Sequence, residues 1–238
     1  MAGDSPNTLY YGDNLDILRR YVRDESVDLV YLDPPFNSAQ TYNVLFAEHD
    51  GSRSAAQIKA FEDTWAWSID AEAAWKEVVT AGGKPSQAMQ AFRTLLGEND
   101  MLAYLAMMAP RLIALRRVLS RTGSIYLHCD PTASHYLKIL MDAIFDARNY
   151  RSEVIWKRTS GHNDARAGFG DVTDTILYYS KSDKPVWTPL YAPYSEQHIA
   201  AKFTSVEPDG RRYTTRDLRS PHPRPNLTYD FKNYKPHP

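Results

Sequence analysis

The chain has 238 residues, of which 43% are hydrophobic, 24% charged and 12% aromatic. This length allows one substantial hydrophobic core, and no apolar run approaches the roughly 18 residues that a membrane span requires. The single cysteine, Cys129, excludes an intramolecular disulfide and a cysteine zinc cluster. Together with an N-terminus that does not look like a secretion leader, this composition predicts a cytoplasmic protein.

The net charge of −1 hides an uneven distribution along the chain. Residues 1–100 hold 8 Lys/Arg against 16 Asp/Glu, a net charge of −8, whereas residues 101–238 hold 20 against 13, a net charge of +7. The stretch 210–238 alone holds 7 basic and 2 acidic residues, a net charge of +5. A polyanionic partner would be drawn to this end, although an ordinary solvated surface explains the same charges.

The first predicted elements alternate between strand and helix. The aromatic run 8–11 predicts a short strand, and Asn14 is the expected N-cap of a helix that continues to Arg23. The β-rich run 27–32 predicts a buried parallel strand, which ends where Pro34 and Pro35 forbid further ladder bonding. Residues 37–98 are interpreted as a helical insertion, with a helix near 54–62 and a loop at 82–85.

The rest of the pattern continues this alternation. A helix with one apolar stripe is predicted over 99–119, followed by a strand at 124–128 and a helix at 131–145. Further strands are predicted at 153–156 and 175–179, separated by a polar, glycine-bearing loop over 159–171. The order predicts an α/β domain with a mainly parallel, doubly wound sheet over 8–182, and an irregular basic segment over 183–238.

The ligand site of such a sheet lies beyond the carboxyl ends of its strands. Asp13, Asp33 and Asp130 each follow a predicted strand. The sequence therefore predicts three carboxylates along one edge of the sheet.

The tetrapeptide 33–36, Asp-Pro-Pro-Phe, offers a specific chemistry at that edge. The amino group of a nucleobase is a poor nucleophile because its lone pair is delocalised into the ring. The Asp33 carboxylate and the Pro34 carbonyl would draw it towards a tetrahedral geometry, and Pro35 adds no competing N–H. Phe36 would stack on a base rotated out of the duplex, which is worth about 1–3 kcal/mol. A simple turn that ends a strand is the alternative; the preceding buried strand favours the functional interpretation.

Three segments, YGDNLD at 11–16, DLVYLDPPFN at 28–37 and GSIYLHCD at 123–130, resemble the β-class DNA amino-methyltransferases, which include the Mod subunits of type III restriction systems. Segments 149–158 and 174–181 resemble the two later strands of that family, in the same order. The resemblance implies a Rossmann-like methyltransferase fold, S-adenosylmethionine as cofactor, double-stranded DNA as substrate and a bacterial or phage origin. Its implied protein partners are a second copy of the chain or a restriction subunit, with no membrane and no metal.

The resemblance also implies roles for individual residues. Asp33, Pro34, Pro35 and Phe36 would form the catalytic loop, and an Asp in the first position favours adenine N6 over cytosine N4. Asp13 and Asp33 would lie near the cofactor, although a helix-capping role explains Asp13 equally well. Contacts with DNA are expected from Asn37, Lys157, Arg158, Arg166, Arg211, Arg212, Arg216 and Arg219. A solvated loop is the alternative for the basic residues, as is a simple turn for Asn37.

Two residues beside the catalytic loop are left with open roles. His128 and Asp130 lie at and just after the end of the predicted strand at 124–128 and would face the active-site cleft. A histidine at a strand end is more often a hydrogen-bonded structural residue, which is the role that we expect for His128.

One family feature is not found in these residues. The Phe-x-Gly-x-Gly loop, which in the family cradles the methionine part of the cofactor, does not occur, and Gly168-Phe169-Gly170 is interpreted as a flexible loop. We therefore expect the N-terminal, base-handling portion of a methyltransferase, whose cofactor-handling half lies largely outside these residues. A truncated, non-catalytic DNA-binding or regulatory relative is the alternative.

Overall fold

The computed structural model describes residues 7–35, 66–160, 169–170 and 172–215, and the chain divides into two compact units, Met1–Trp187 and Thr188–Pro238. The helices of the first unit are α1 (Asn14–Tyr21), α2 (Ile69–Ala81), α3 (Gly83–Leu96), α4 (Asp100–Val118) and α5 (Pro131–Phe145). Its strands are β1 (Val27–Leu32), β2 (Leu119–Cys129), β3 (Tyr150–Lys157) and β4 (Thr173–Ser180).

The described part of the second unit contains one helix and one strand pair. These elements are α6 (Glu196–Lys202), β5 (Ser205–Val206) and β6 (Arg212–Tyr213), with β5 antiparallel to β6. None of the helices in the described ranges of either unit is long and apolar enough to cross a membrane.

The four strands of the first unit form one mixed sheet in the order β1-β2-β4-β3. β1 is parallel to β2, whereas β4 is antiparallel to both of its neighbours. The α/β class is confirmed, and the expectation of a mainly parallel sheet is correct only in that three of the four strands share one direction. β3 ends at Lys157 and β4 begins at Thr173, and an antiparallel neighbour of this kind needs no crossover connection, whereas a parallel one does.

The hydrophobic core lies on one face of the sheet. Alternate residues of the strands, among them Ile125, Leu127, Leu177 and Tyr179, point to this face and are fully or almost fully buried. α4 packs against α1, α2, α3 and α5, so it is buried on nearly all sides instead of along the one stripe that was predicted. A helix with neighbours all round carries apolar residues on every face.

Four local predictions were wrong. Residues 8–11 do not form a strand, and the N-cap of α1 is Asp13, whose carboxylate accepts a hydrogen bond from the N–H of Leu15 (2.8 Å). α1 also ends at Tyr21 instead of Arg23. The loop predicted at 82–85 is the single residue Gly82 (φ +76°), since α3 begins at the next residue. The helix predicted near 54–62 lies outside the described residues.

Candidate active site

The strand β1 ends directly at the predicted catalytic loop. Asp33 is the first residue after the strand, and 60% of its side chain is exposed. Pro34 is buried and Pro35 partly buried, whereas the Asp33 carboxylate is open to solvent. Phe36 and Asn37 lie outside the described residues. The described part of the loop therefore presents one accessible carboxylate at the carboxyl end of β1.

The neighbouring strand brings His128 beside Asp33. Leu32 pairs with Leu127 across the parallel β1–β2 ladder, so Asp33 and His128 follow one register position later on the face opposite the core. The Nδ1 atom of His128 lies 3.1 Å from Asp33 Oδ1.

The reversed strand β4 adds a second carboxylate, Asp174, to the same edge. His128 pairs with Ile176, and Asp174 lies two residues earlier on the same face of β4. His128 Nε2 is 3.3 Å from Asp174 Oδ2, and Arg158 Nη1 is 3.2 Å from Asp174 Oδ1. Both contacts have ion-pair distances but lack the alignment of hydrogen bonds. Since Asp174 is only 3% exposed, these two neighbours are what compensates its buried charge.

Asp13, predicted to lie near the cofactor, is joined to α4. Its carboxylate caps α1 and also accepts hydrogen bonds from Nη2 of Arg111 at 3.0 and 2.9 Å. Arg111 is only 6% exposed and donates further bonds to Asn14 Oδ1 (2.8 Å) and to the carbonyl of Met107 (2.7 Å). The capping alternative is thus confirmed, although about half of the Asp13 side chain remains exposed. The expectation that Asp13 follows a strand was wrong.

Two residues at the end of β2 have structural roles. Asp130 is the N-cap of α5, where its Oδ1 accepts a hydrogen bond from the N–H of Ala133 (3.0 Å). Cys129 is fully buried, and burial, followed by the nearby carboxylates of Asp130, Glu153 and Asp174, raises the pKa of its thiol to about 12. Since the thiolate is the nucleophilic form, Cys129 is not a nucleophile near neutral pH.

The structure describes four of the predicted DNA-contacting residues, two in each unit. Lys157 is exposed at the end of β3, while Arg158 is half-exposed and bound to Asp174. In the second unit, Arg211 is paired with Glu207 (2.8 Å) and Asp209 (2.7 Å), and the exposed Arg212 opens β6. The remaining four, Asn37, Arg166, Arg216 and Arg219, lie outside the described residues.

Sequence reasoning missed Asp174 and Arg111. Asp174 was read only as part of a strand, and its position at the functional edge follows from the reversed direction of β4. Arg111 was treated only as a charged residue within the apolar helix α4. A charge at a position that is otherwise apolar was the available signal, since charged residues are almost never fully buried without a partner.

The described residues fit only part of S-adenosylmethionine. Asp13 and Asp33 offer exposed carboxylate surface that suits the positively charged sulfonium or the polar ends of S-adenosylmethionine. Within the described ranges, no glycine loop follows a strand to present backbone N–H groups to the methionine carboxylate. Nor do the described residues contain a group of three or more His, Cys, Asp or Glu placed to hold a metal.

Comparison with known proteins identifies relatives along most of the chain. The Type III restriction-modification enzyme StyLTI Mod subunit of Salmonella typhimurium is 26% identical over 213 residues, which cover 87% of this chain and 29% of that protein. Type II methyltransferase M.EcaI of Enterobacter cloacae is 26% identical over 208 residues, which cover 87% of this chain and 36% of that protein. The chain thus spans about a third of the length of these relatives.

Among solved structures, the PvuII DNA methyltransferase (cytosine-N4-specific) is 13% identical, with a TM-score of 0.41, and the match covers 86% of this chain and 65% of that one. A family model for N6/N4 methyltransferases, described as DNA methylase, matches residues 27–236. Since this match extends over most of the 238 residues, the chain belongs to the N6/N4 DNA methylase family.

Proposed function

We propose that the chain is the base-handling part of an S-adenosylmethionine-dependent DNA methyltransferase that acts on adenine N6. The observation that carries the proposal is the open carboxylate of Asp33, placed at the carboxyl end of β1 and followed by a proline whose N–H is missing. Residues 8–182 would form the catalytic domain, and residues 183–238 would begin the region that recognises the target sequence.

The chemistry follows from the acceptors at this loop. The Asp33 carboxylate and the Pro34 carbonyl accept hydrogen bonds from the two amino hydrogens, which directs the nitrogen lone pair away from the ring plane. S-adenosylmethionine, when bound, supplies the electrophilic methyl group. After the transfer the amino nitrogen loses one proton to solvent. Phe36 would hold the flipped base by stacking on its face.

The preference for adenine rests on the aspartate in the first position of the loop, as in the adenine enzymes that the sequence resembles. The family contains both N6 and N4 enzymes, so the product must be identified directly. Nucleoside analysis of methylated DNA by mass spectrometry separates N6-methyladenine from N4-methylcytosine. Detection of N4-methylcytosine alone would overturn the choice of base.

The catalytic assignment is tested by Asp33→Asn, which keeps the size of the side chain but removes its charge. Methyl transfer from tritiated S-adenosylmethionine should fall by a factor on the order of 10² or more, with DNA affinity unchanged. The matched control is Asp28→Asn on the same strand, where the carboxylate accepts a hydrogen bond from Ser120 Oγ (2.9 Å) away from the loop. A measurable wild-type rate that Asp33→Asn retains in full would refute the assignment.

The substrate and the protein partners of the chain are also proposals. Double-stranded DNA is the proposed substrate, and a second copy of the chain or a restriction subunit is the proposed protein partner. The alternative is a DNA-binding or regulatory relative without catalysis. DNA binding combined with no S-adenosylmethionine binding in calorimetry would favour that alternative.

A further inference from the structure

The imidazole of His128 lies between two carboxylates of very different exposure. On its Nδ1 side is Asp33, which is open to solvent, and on its Nε2 side is Asp174, which is buried. The three side chains come from β1, β2 and β4, and they share the face of the sheet opposite the core. The sheet order thus places one histidine directly behind the proposed catalytic carboxylate.

The buried end of this arrangement is the better anchored one. Asp174 is enclosed by protein and lies between His128 and the guanidinium of Arg158. A buried carboxylate keeps its charge only where positive or hydrogen-bonding groups compensate it, so its position is restricted. The ring of His128 lies with Nε2 3.3 Å from Asp174 Oδ2 and Nδ1 3.1 Å from Asp33 Oδ1, so its Nδ1 side is presented to Asp33.

We infer that His128 is the positioning residue of Asp33 in the proposed methyl transfer. In this role Nδ1, which lies at an ion-pair distance of 3.1 Å from Asp33 Oδ1, donates its proton to a hydrogen bond with that oxygen, so that Oδ2 faces the amino group of the base. An exposed carboxylate can rotate and present either oxygen in many directions. A fixed donor removes that freedom before the substrate arrives, and such preorganisation raises the rate of the chemical step.

This role goes beyond the proposed function, on which it rests, because it assigns a task to three residues outside the catalytic tetrapeptide. Arg158 and Asp174 act only through the ring, and none of the three needs to touch the base. The inference also changes the expected role of Arg158, because its guanidinium contacts Asp174 in addition to any contact with phosphate.

Two substitutions separate the two sides of the ring. In His128→Asn the amide nitrogen lies near the position of Nδ1, so the donation to Asp33 is kept and the contact with Asp174 is lost. In His128→Gln the longer side chain places its amide near the position of Nε2, so the contact with Asp174 is kept and the donation to Asp33 is lost. Each variant is therefore the control for the other.

We expect His128→Gln to lower kcat on the order of 10- to 100-fold, the factor that corresponds to a lost hydrogen bond to a charged group. His128→Asn should lose less activity than His128→Gln, because it keeps the donor to Asp33 while losing the contact with Asp174, and KM for DNA should change little in both, because neither side chain binds DNA. Equal losses in the two variants, or no loss in His128→Gln, would overturn the positioning role. Thermal melting of both variants checks that they are folded.

A second measurement does not depend on activity. Nitrogen-15 NMR of the full chain with labelled histidine reports whether each ring nitrogen carries a proton, and His128→Asn identifies the signals. We expect a proton on Nδ1, and a shift of that nitrogen in Asp33→Asn but not in Asp28→Asn. An Nδ1 chemical shift that is unchanged in Asp33→Asn would refute the inference. If that signal shifts but the wild type methylates no DNA, the proposed function fails while the link between His128 and Asp33 stands.

Discussion

Replacement of Arg111 by methionine tests how the region of Asp13 is attached to α4. Methionine keeps the unbranched stem and has nearly the same helix propensity as arginine, so the change mainly removes the guanidinium. That group makes four hydrogen bonds, two to Asp13, one to Asn14 and one to the carbonyl of Met107. The variant therefore isolates the polar attachment of α1 to α4.

The expected cost can be worked out from these partners. Each hydrogen bond to a neutral acceptor contributes about 1 kcal/mol net, which gives about 2 kcal/mol for Asn14 and Met107. Asp13 is 54% exposed and becomes hydrated again, so its ion pair is discounted to about 0.5–1 kcal/mol. The free energy of unfolding should thus fall by about 2–3 kcal/mol, and the melting temperature by about 4–12 °C for a chain of this size.

Urea denaturation followed by circular dichroism measures this change. Arg116→Met is the matched control, because Arg116 lies on the same helix and is exposed; it should change stability by less than about 0.5 kcal/mol. A cycle with Asp13→Asn should show a coupling of about 0.5–1 kcal/mol between Asp13 and Arg111. A loss below about 0.5 kcal/mol in Arg111→Met would show that the hydrogen bonds contribute nothing net.

Three further expectations follow. Burial, together with the hydrogen bond to Asp142 (2.6 Å), raises the pKa of Tyr179 above its usual value of 10.0. The stability that the neutral phenol contributes is therefore complete below pH 10.0 and is lost as the pH rises above that value. Urea titrations at about pH 8 and pH 11 should show a smaller loss in Tyr179→Phe than in the wild type. Gly123→Ala should lower the free energy of unfolding by about 1–3 kcal/mol in urea titration, since its methyl group would lie 3.1 Å from the carbonyl oxygens of Val27 and Ser120. At Gly170 an added methyl group meets nothing within 4 Å, so Gly170→Ala should leave stability unchanged. Removal of residues 210–238 should weaken DNA binding and reduce its dependence on salt, measured by fluorescence anisotropy; an unchanged slope would mean that this charge is incidental.

The local structure of the chain was largely predictable from its sequence. The strand Val27–Leu32 and the helix Pro131–Phe145 have the predicted bounds, and α4 begins within one residue of the predicted start. Their signals are local: β-rich apolar runs, prolines that stop ladder bonding, and side chains that cap a helix within three residues. The position of Asp33 at the end of a strand was predictable for the same reason.

The tertiary structure alone decided which side chains meet. Asp174 joins Asp33 at one edge only because β4 is reversed, and no local pattern states the direction of a strand. Arg111 lies 98 residues from Asp13, so their pairing depends on how α4 packs against α1. Pairings between distant segments follow from the packing of the whole sheet and its helices, which is why the sequence pointed to the catalytic aspartate but not to the histidine and carboxylate behind it.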